Sequence, residues 1–150
     1  MFKRILVPFD GSETSRRALA MAIDMARPSG GRLRVVHQLE DLSHLAAYDP
    51  SGASSGELFE VMREAGSQLL AEGTAIARAA GIEADDVLLD RFGRRLGEAI
   101  ADAAKLWNAD LIVVGTHGRR GVARAVLGSG AEQIVRLAPV AVLVVRDPRT

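Results

Sequence analysis

A chain of 150 residues, 48% of them hydrophobic and 25% charged, has the size and make-up of one domain with a substantial core, so residues 1–150 are read as a single unit. Its charge is balanced, 19 basic against 19 acidic residues, which argues against a general nucleic-acid coat or a membrane-surface protein. No cysteine is present, so disulfide frameworks, thiolate zinc sites and thiol nucleophiles are excluded.

Ile5 to Phe9 is an apolar run behind Lys3-Arg4, cut by Pro8 and Asp10, and so not a signal peptide. No run approaches the ~20 apolar residues that cross a bilayer, and a soluble cytoplasmic protein is expected. Continuous apolar character without alternation marks a strand buried on both faces, as in a parallel sheet. Pro8 offers no ladder bond and belongs where that strand ends. Asp10-Gly11-Ser12 is turn and helix-cap chemistry. Ala18, Leu19, Ala22, Ile23 and Ala26 then mark one face of a helix, stopped by Pro28 and Gly30-Gly31. Leu33 to Leu39 reads as the second strand.

Glu40 to Gly56 has no sustained period and collects Ser, Gly, Asp and Pro; it is expected to be a long loop, unusual enough in a compact domain to suggest function. Glu57 to Ala80 predicts a long helix, with Leu58, Val61, Met62, Ala65, Leu69, Ile76, Ala77 and Ala80 near one side. Gly66 and Gly73 weaken it by about 1 kcal/mol each relative to alanine unless close packing needs them. Asp86 to Arg91, centred on Val87-Leu88-Leu89, predicts a third strand. Leu96, Ala99, Ile100, Ala103 and Ala104 give an amphipathic helix ending near Asn108. Leu111 to Val114, Ser129 to Leu137 and Val140 to Val145 read as strand, helix and strand. Strands separated by helices imply an α/β fold with right-handed crossovers, a doubly wound parallel sheet with helices on both faces.

Between the fourth and fifth strands the chemistry becomes specific. Gly115 and Gly118 fall where the fourth strand runs out, and Gly128-Ser129 where the last helix starts. Glycine suits points where the backbone turns sharply or a ligand approaches it closely. Ser129, Gly130 and Ala131 open the helix, so their free N–H groups and the positive dipole end form an anion site, each charge interaction worth roughly 0.3–1 kcal/mol. Ser129 and Glu132 also satisfy the capping-box pattern. From Leu111 to Ala131 no acidic residue occurs, while Arg119, Arg120 and Arg124 do. The chemistry on offer is phosphate binding. There is no Gly-x4-Gly-Lys-Ser/Thr phosphate loop, and Gly-x2-Gly-x2-Gly at 115, 118 and 121 is not the dinucleotide fingerprint.

The spacing Gly-x2-Gly-x9-Gly-Ser at Gly115, Gly118, Gly128 and Ser129 resembles the nucleotide-binding signature of the universal stress protein family, in its ATP-binding branch. The resemblance runs from ILVPFDGS at the N-terminus to PVAVLVVR at the C-terminus. It implies a Rossmann-like five-stranded sheet of order 3-2-1-4-5. Strands 1 and 4 are then neighbours at a switch point, where ligands bind beyond the carboxyl ends of the strands. It further implies that Pro8 and Gln38 cradle adenine and that Asp10 meets a ribose hydroxyl or a hydrated metal ion. Thr116 and the backbone of His117 would line the ribose–phosphate side. Ser129, Gly130 and Ala131 would meet the α- and β-phosphates. Of the loop arginines, Arg119, directly after Gly118, is the first candidate to reach a phosphate, with Arg120 beside it in the chain. Family members often carry a branched apolar residue in place of Gln38, a larger one than Gly130 and a hydroxyl in place of Ala131.

The expected function is an ATP-binding regulatory module, with Mg²⁺ or Mn²⁺ held through the phosphates. A slow ATPase or autophosphorylating enzyme, and a ligand-free interaction domain, are the alternatives. The resemblance also implies a homodimer through Val140 to Val145, an unprotected apolar edge strand.

Overall fold

The unalternating apolar runs become the strands of one sheet: β1 (Arg4–Pro8), β2 (Arg32–Gln38), β3 (Ala84–Leu89), β4 (Leu111–Gly115) and β5 (Ala141–Val145). The computed structural model describes residues 1–39, 54–91, 93–117 and 127–148. All pairings are parallel and the order is β3-β2-β1-β4-β5, as expected. Helices α1 (Glu13–Ala26) and α2 (Ser54–Ala79) cover one face. Helices α3 (Leu96–Trp107) and α4 (Ser129–Leu137) cover the other. Strand alternation splits the core accordingly. Ile5, Val7, Leu33, Val35 and Val113 point to α1 and α2, and Leu6, Val36, Ile112 and Val114 to α3 and α4. The sheet is doubly wound, and no helix among the described residues is long and apolar enough to cross a membrane.

Helix α2 departs from its sequence reading in two ways. It starts at Ser54, inside the stretch expected to be loop. Its inward face also differs: Val61 is 65% and Ile76 39% exposed, while Leu70 and Thr74 are buried alongside the expected Ala77. The glycines explain the rotation. A Cβ on Gly66 would lie 3.0 Å from Leu88 Cδ1, and one on Gly73 would lie 3.1 Å from Val35 Cγ1. The helix backbone lies close against β2 and β3 there, so close packing is what these glycines supply. Helix α3 ends as expected, at Asn108 in the left-handed conformation.

Strand β3 begins at Ala84, ahead of the expected Asp86, because its acidic residues have partners. Asp85 sits opposite Arg34 in the β2–β3 register and accepts two parallel hydrogen bonds from it, both 2.8 Å. Arg34 in turn lies 4.8 Å over the Trp107 ring. Hydrogen bonding from Arg34 holds the Asp85 carboxyl below the usual carboxylate range. A depressed folded-state pKa gives stability that is complete above the unfolded value, near pH 4, and lost as pH falls through the folded value. With both side chains part-exposed, Asp85→Asn is expected to cost roughly 0.5–1 kcal/mol at neutral pH. In urea unfolding the gap to wild type should close as the pH is lowered through and below the ordinary carboxylate range.

Candidate functional site

The β1–β4 ladder stops at Leu6 opposite Ile112, although both strands run on, to Pro8 and Gly115. Phe9 N–H donates to the Val36 carbonyl of β2 at 2.8 Å. Backbone groups alternate sides along a strand, so position 8 faces β4, where the ladder has ended. Proline there leaves no donor unsatisfied. The divergence opens a crevice at the switch point, a cavity of about 860 Å³. Pro8, Asp10, Gln38, Gly115, His117, Gly128, Ser129, Gly130 and Ala131 all line it. Gly118, Arg119 and Arg120 lie outside the described residues, as does Arg124.

Two elements frame the crevice near α1. Ser12 is the N-cap, its hydroxyl accepting from Ser15 N–H at 3.3 Å. Asp10 therefore does not cap the helix; its Oδ1 accepts Ser12 N–H at 2.9 Å and fixes the turn in front of it. Thr14 Oγ1 donates to the His117 carbonyl, tying α1 to the loop after β4. A Cβ on Gly115 would meet Thr14 Oγ1 at 2.6 Å and its backbone carbonyl carbon at 2.8 Å. Gly115 is thus required by helix–strand packing; the sequence reading had attributed it to a turn or to ligand approach.

The start of α4 differs from the capping-box expectation. Gly128 is the N-cap, Ser129 is the first helical residue, and no side chain caps the helix. Glu132 N–H bonds back to the Gly128 carbonyl at 2.9 Å, and the Glu132 carboxylate meets Arg136 at 2.7 Å. The N–H groups of Ser129, Gly130 and Ala131 precede the first intrahelical bond. Gly128 N–H donates to the Thr116 carbonyl at 2.7 Å, and Thr116 N–H to the Val145 carbonyl at 3.0 Å. Thr116 is buried, its backbone committed to closing the loop, with Oγ1 3.2 Å from His117 Nδ1. A Cβ on Gly128 would stand 2.9 Å from the Thr116 carbonyl oxygen and 3.1 Å from His117 Cα. Across the crevice Gln38 Nε2 donates to the Arg94 carbonyl at 2.9 Å, and His37 Nδ1 lies 2.9 Å from the Phe9 carbonyl.

A sequence model of the universal stress protein family matches residues 1–146. The chain belongs to the universal stress protein family. A universal stress protein of Thermus aquaticus, from the 3′ region of a sulfhydrylase gene, is 39% identical over 97% of this chain and 100% of its own length. The universal stress protein UspA of Lactobacillus plantarum shares the fold with a TM-score of 0.80 at 23% identity, covering 97% of this chain and 98% of that one. A universal stress protein solved in complex with cAMP matches with a TM-score of 0.66 at 25% identity, covering 97% of each chain.

In this universal stress protein the crevice also has walls that the sequence reading did not assign to it. Met62, Ala65 and Leu69 of α2 supply an apolar side. Arg91, Arg94 and Arg95, between β3 and α3, supply a basic one. The available signal was three arginines within five positions, after a strand whose carboxyl end lies on the same edge of the sheet as the crevice. Among the described residues no three His, Asp or Glu side chains gather as metal ligands.

Proposed function

We propose that the crevice binds ATP and that the protein is a nucleotide-dependent regulatory module of the stress response. A single nucleotide-binding domain, 1–150, would work in the cytoplasm as a homodimer joined through β5. One observation carries this reading. A single cavity at the switch point combines an apolar wall, from Met62, Ala65 and Leu69, with the unpaired N–H groups that open α4. The first suits a base and the second suits phosphate. The cAMP complex of a family member supports an adenine nucleotide as the ligand class.

The roles proposed for the crevice residues are those implied by the resemblance. Pro8 and Gln38 stand at the ends of β1 and β2 for the adenine, Asp10 for the ribose, and Gly128 to Ala131 for the phosphates. A divalent cation, Mg²⁺ or Mn²⁺, would be carried by phosphate oxygens, with no protein cage of its own. Calorimetry with ATP and Mg²⁺ is expected to give a dissociation constant in the micromolar to sub-millimolar range. Mass spectrometry of ligand released from freshly purified, denatured protein is expected to find adenine nucleotide. Absence of any heat with ATP, ADP or AMP at millimolar concentration would overturn the reading.

A further inference from the structure

The arginines between β3 and α3 stand in two different situations. Arg94 is neutralised, its guanidinium 2.5 Å from Asp102 and 4.0 Å from Glu98. Arg91 and Arg95 are exposed, line the cavity, and have no ion-pair or hydrogen-bond partner for their guanidinium groups among the described residues. The cavity lining holds one acidic residue among those described, Asp10, against the three arginines.

Arg95 is also locally misplaced. It is the N-cap of α3, with φ −70 and ψ 150, and makes no side-chain cap. An acceptor side chain or glycine is preferred at this position, and arginine carries only donors. Its positive charge further opposes the positive end of the helix dipole. Residues that break a local rule of this kind concentrate at functional sites.

Packing places this cation beside the proposed phosphate end of the crevice. Gly97 N–H, in the first turn of α3, donates to Gln133 Oε1 of α4 at 3.2 Å. Leu96 packs so closely on α4 that a Cβ on Gly130 would lie 2.8 Å from its Cδ2. The two helix starts are therefore adjacent, with Arg95 immediately ahead of one of them. The Gln38 bond to the Arg94 carbonyl ties the intervening loop to the end of β2.

We infer that Arg95, assisted by Arg91, is a phosphate-contacting specificity determinant that makes the crevice select nucleotides with two or more phosphates over AMP and cyclic nucleotides. This rests on the nucleotide reading above. The N–H groups at the start of α4 can receive the nearer phosphates whatever the chain length, whereas a flexible guanidinium at the neighbouring helix start adds recognition only when further phosphate oxygens are present.

The test is calorimetry on the full chain with ATP, ADP, AMP and cAMP at fixed Mg²⁺ and ionic strength. Wild type is expected to bind ATP at least tenfold more tightly than AMP or cAMP. Arg95→Ala should weaken ATP by about ten- to a hundredfold, the range for charge-assisted hydrogen bonds, and leave AMP within about twofold. Arg95→Lys should retain part of the preference. Arg136→Ala, which removes the same charge from an exposed pair with Glu132, should leave the ATP-to-AMP ratio unchanged. Without ligand, Arg95→Ala should melt no lower than wild type, since a cation is removed from a helix start. An Arg91→Ala, Arg95→Ala double variant with the wild-type ATP-to-AMP ratio would sink this inference and leave the nucleotide reading standing. So would a wild type that binds AMP as tightly as ATP. If wild type binds none of the four nucleotides, the nucleotide reading fails and the inference with it.

Discussion

Gly128→Val is expected to lower ATP affinity more than a hundredfold while the sheet remains folded. The reason lies in backbone atoms, which cannot rotate away as a side-chain tip can. A Cβ at this position would lie 2.9 Å from the Thr116 carbonyl oxygen and 3.1 Å from His117 Cα. Valine adds two γ-methyl groups with little freedom at χ1. Either the loop after β4 or the start of α4 must shift, breaking the 2.7 Å bond from Gly128 N–H to Thr116. That shift would misaim the N–H groups of Ser129, Gly130 and Ala131, on which phosphate binding rests. Overpacking of this kind costs about 2 kcal/mol, or roughly 4–8 °C of melting temperature at this chain length. Circular dichroism should therefore report a folded variant and calorimetry a silent one. Gly118→Val, at the next position after His117 and outside the described residues, is expected to lose ATP as well. Undiminished ATP binding by a folded double variant would remove the site from this crevice.

Replacing Val142 with lysine and Val144 with proline is expected to convert a dimer into monomers that still bind ATP. Strand β5 is at the sheet edge and pairs only with β4. Val142 to Val145 are each partly exposed, and an apolar edge of that kind is a template for pairing with another chain. Two copies related by a two-fold axis would satisfy it. The Val145 carbonyl accepts from Thr116 N–H and so faces β4. By strand alternation the backbone groups of Val142 and Val144 face the free edge. Proline at 144 then removes a donor needed across the dimer and leaves the β4 ladder alone. The alternative is that the C-terminal residues or a neighbouring loop cover the edge, and the first of these is not favoured by Asp147. That residue is buried, 3.7 Å from Arg17 of α1 on the face of the sheet. Sedimentation at tens of micromolar should show wild-type dimers and variant monomers, with ATP affinity kept within a few-fold. A wild type that is monomeric with or without nucleotide would end the dimer proposal.

The crevice was legible in the sequence to the extent that strand ends and helix starts were. Pro8 ends β1, Asp10 and Ser12 build the turn into α1, and Gly128-Ser129 mark the start of α4, because each residue acts on its own backbone or its immediate neighbours. Such effects are local, and the order of strands along the sheet followed from the family pattern that those residues spell.

Contacts between elements were not legible. Gly115 reads as a turn glycine until Thr14, 101 positions earlier, is seen 2.6 Å from where its Cβ would be. The apolar stripe of α2 reads through Val61 and Ile76 until Gly66 and Gly73 are seen against β2 and β3. Nothing in the sequence sets Arg95 apart from the other arginines until Leu96 is found packed on Gly130. Hydrophobic period and cap chemistry record what one element needs for itself, and so the sequence by itself determined the strands, most helix ends and the end of the sheet where a ligand could sit. Which helix faces lie inward, why Gly115 must be glycine and which cations share the crevice depend on how closely separate elements approach, and only the tertiary structure decided those.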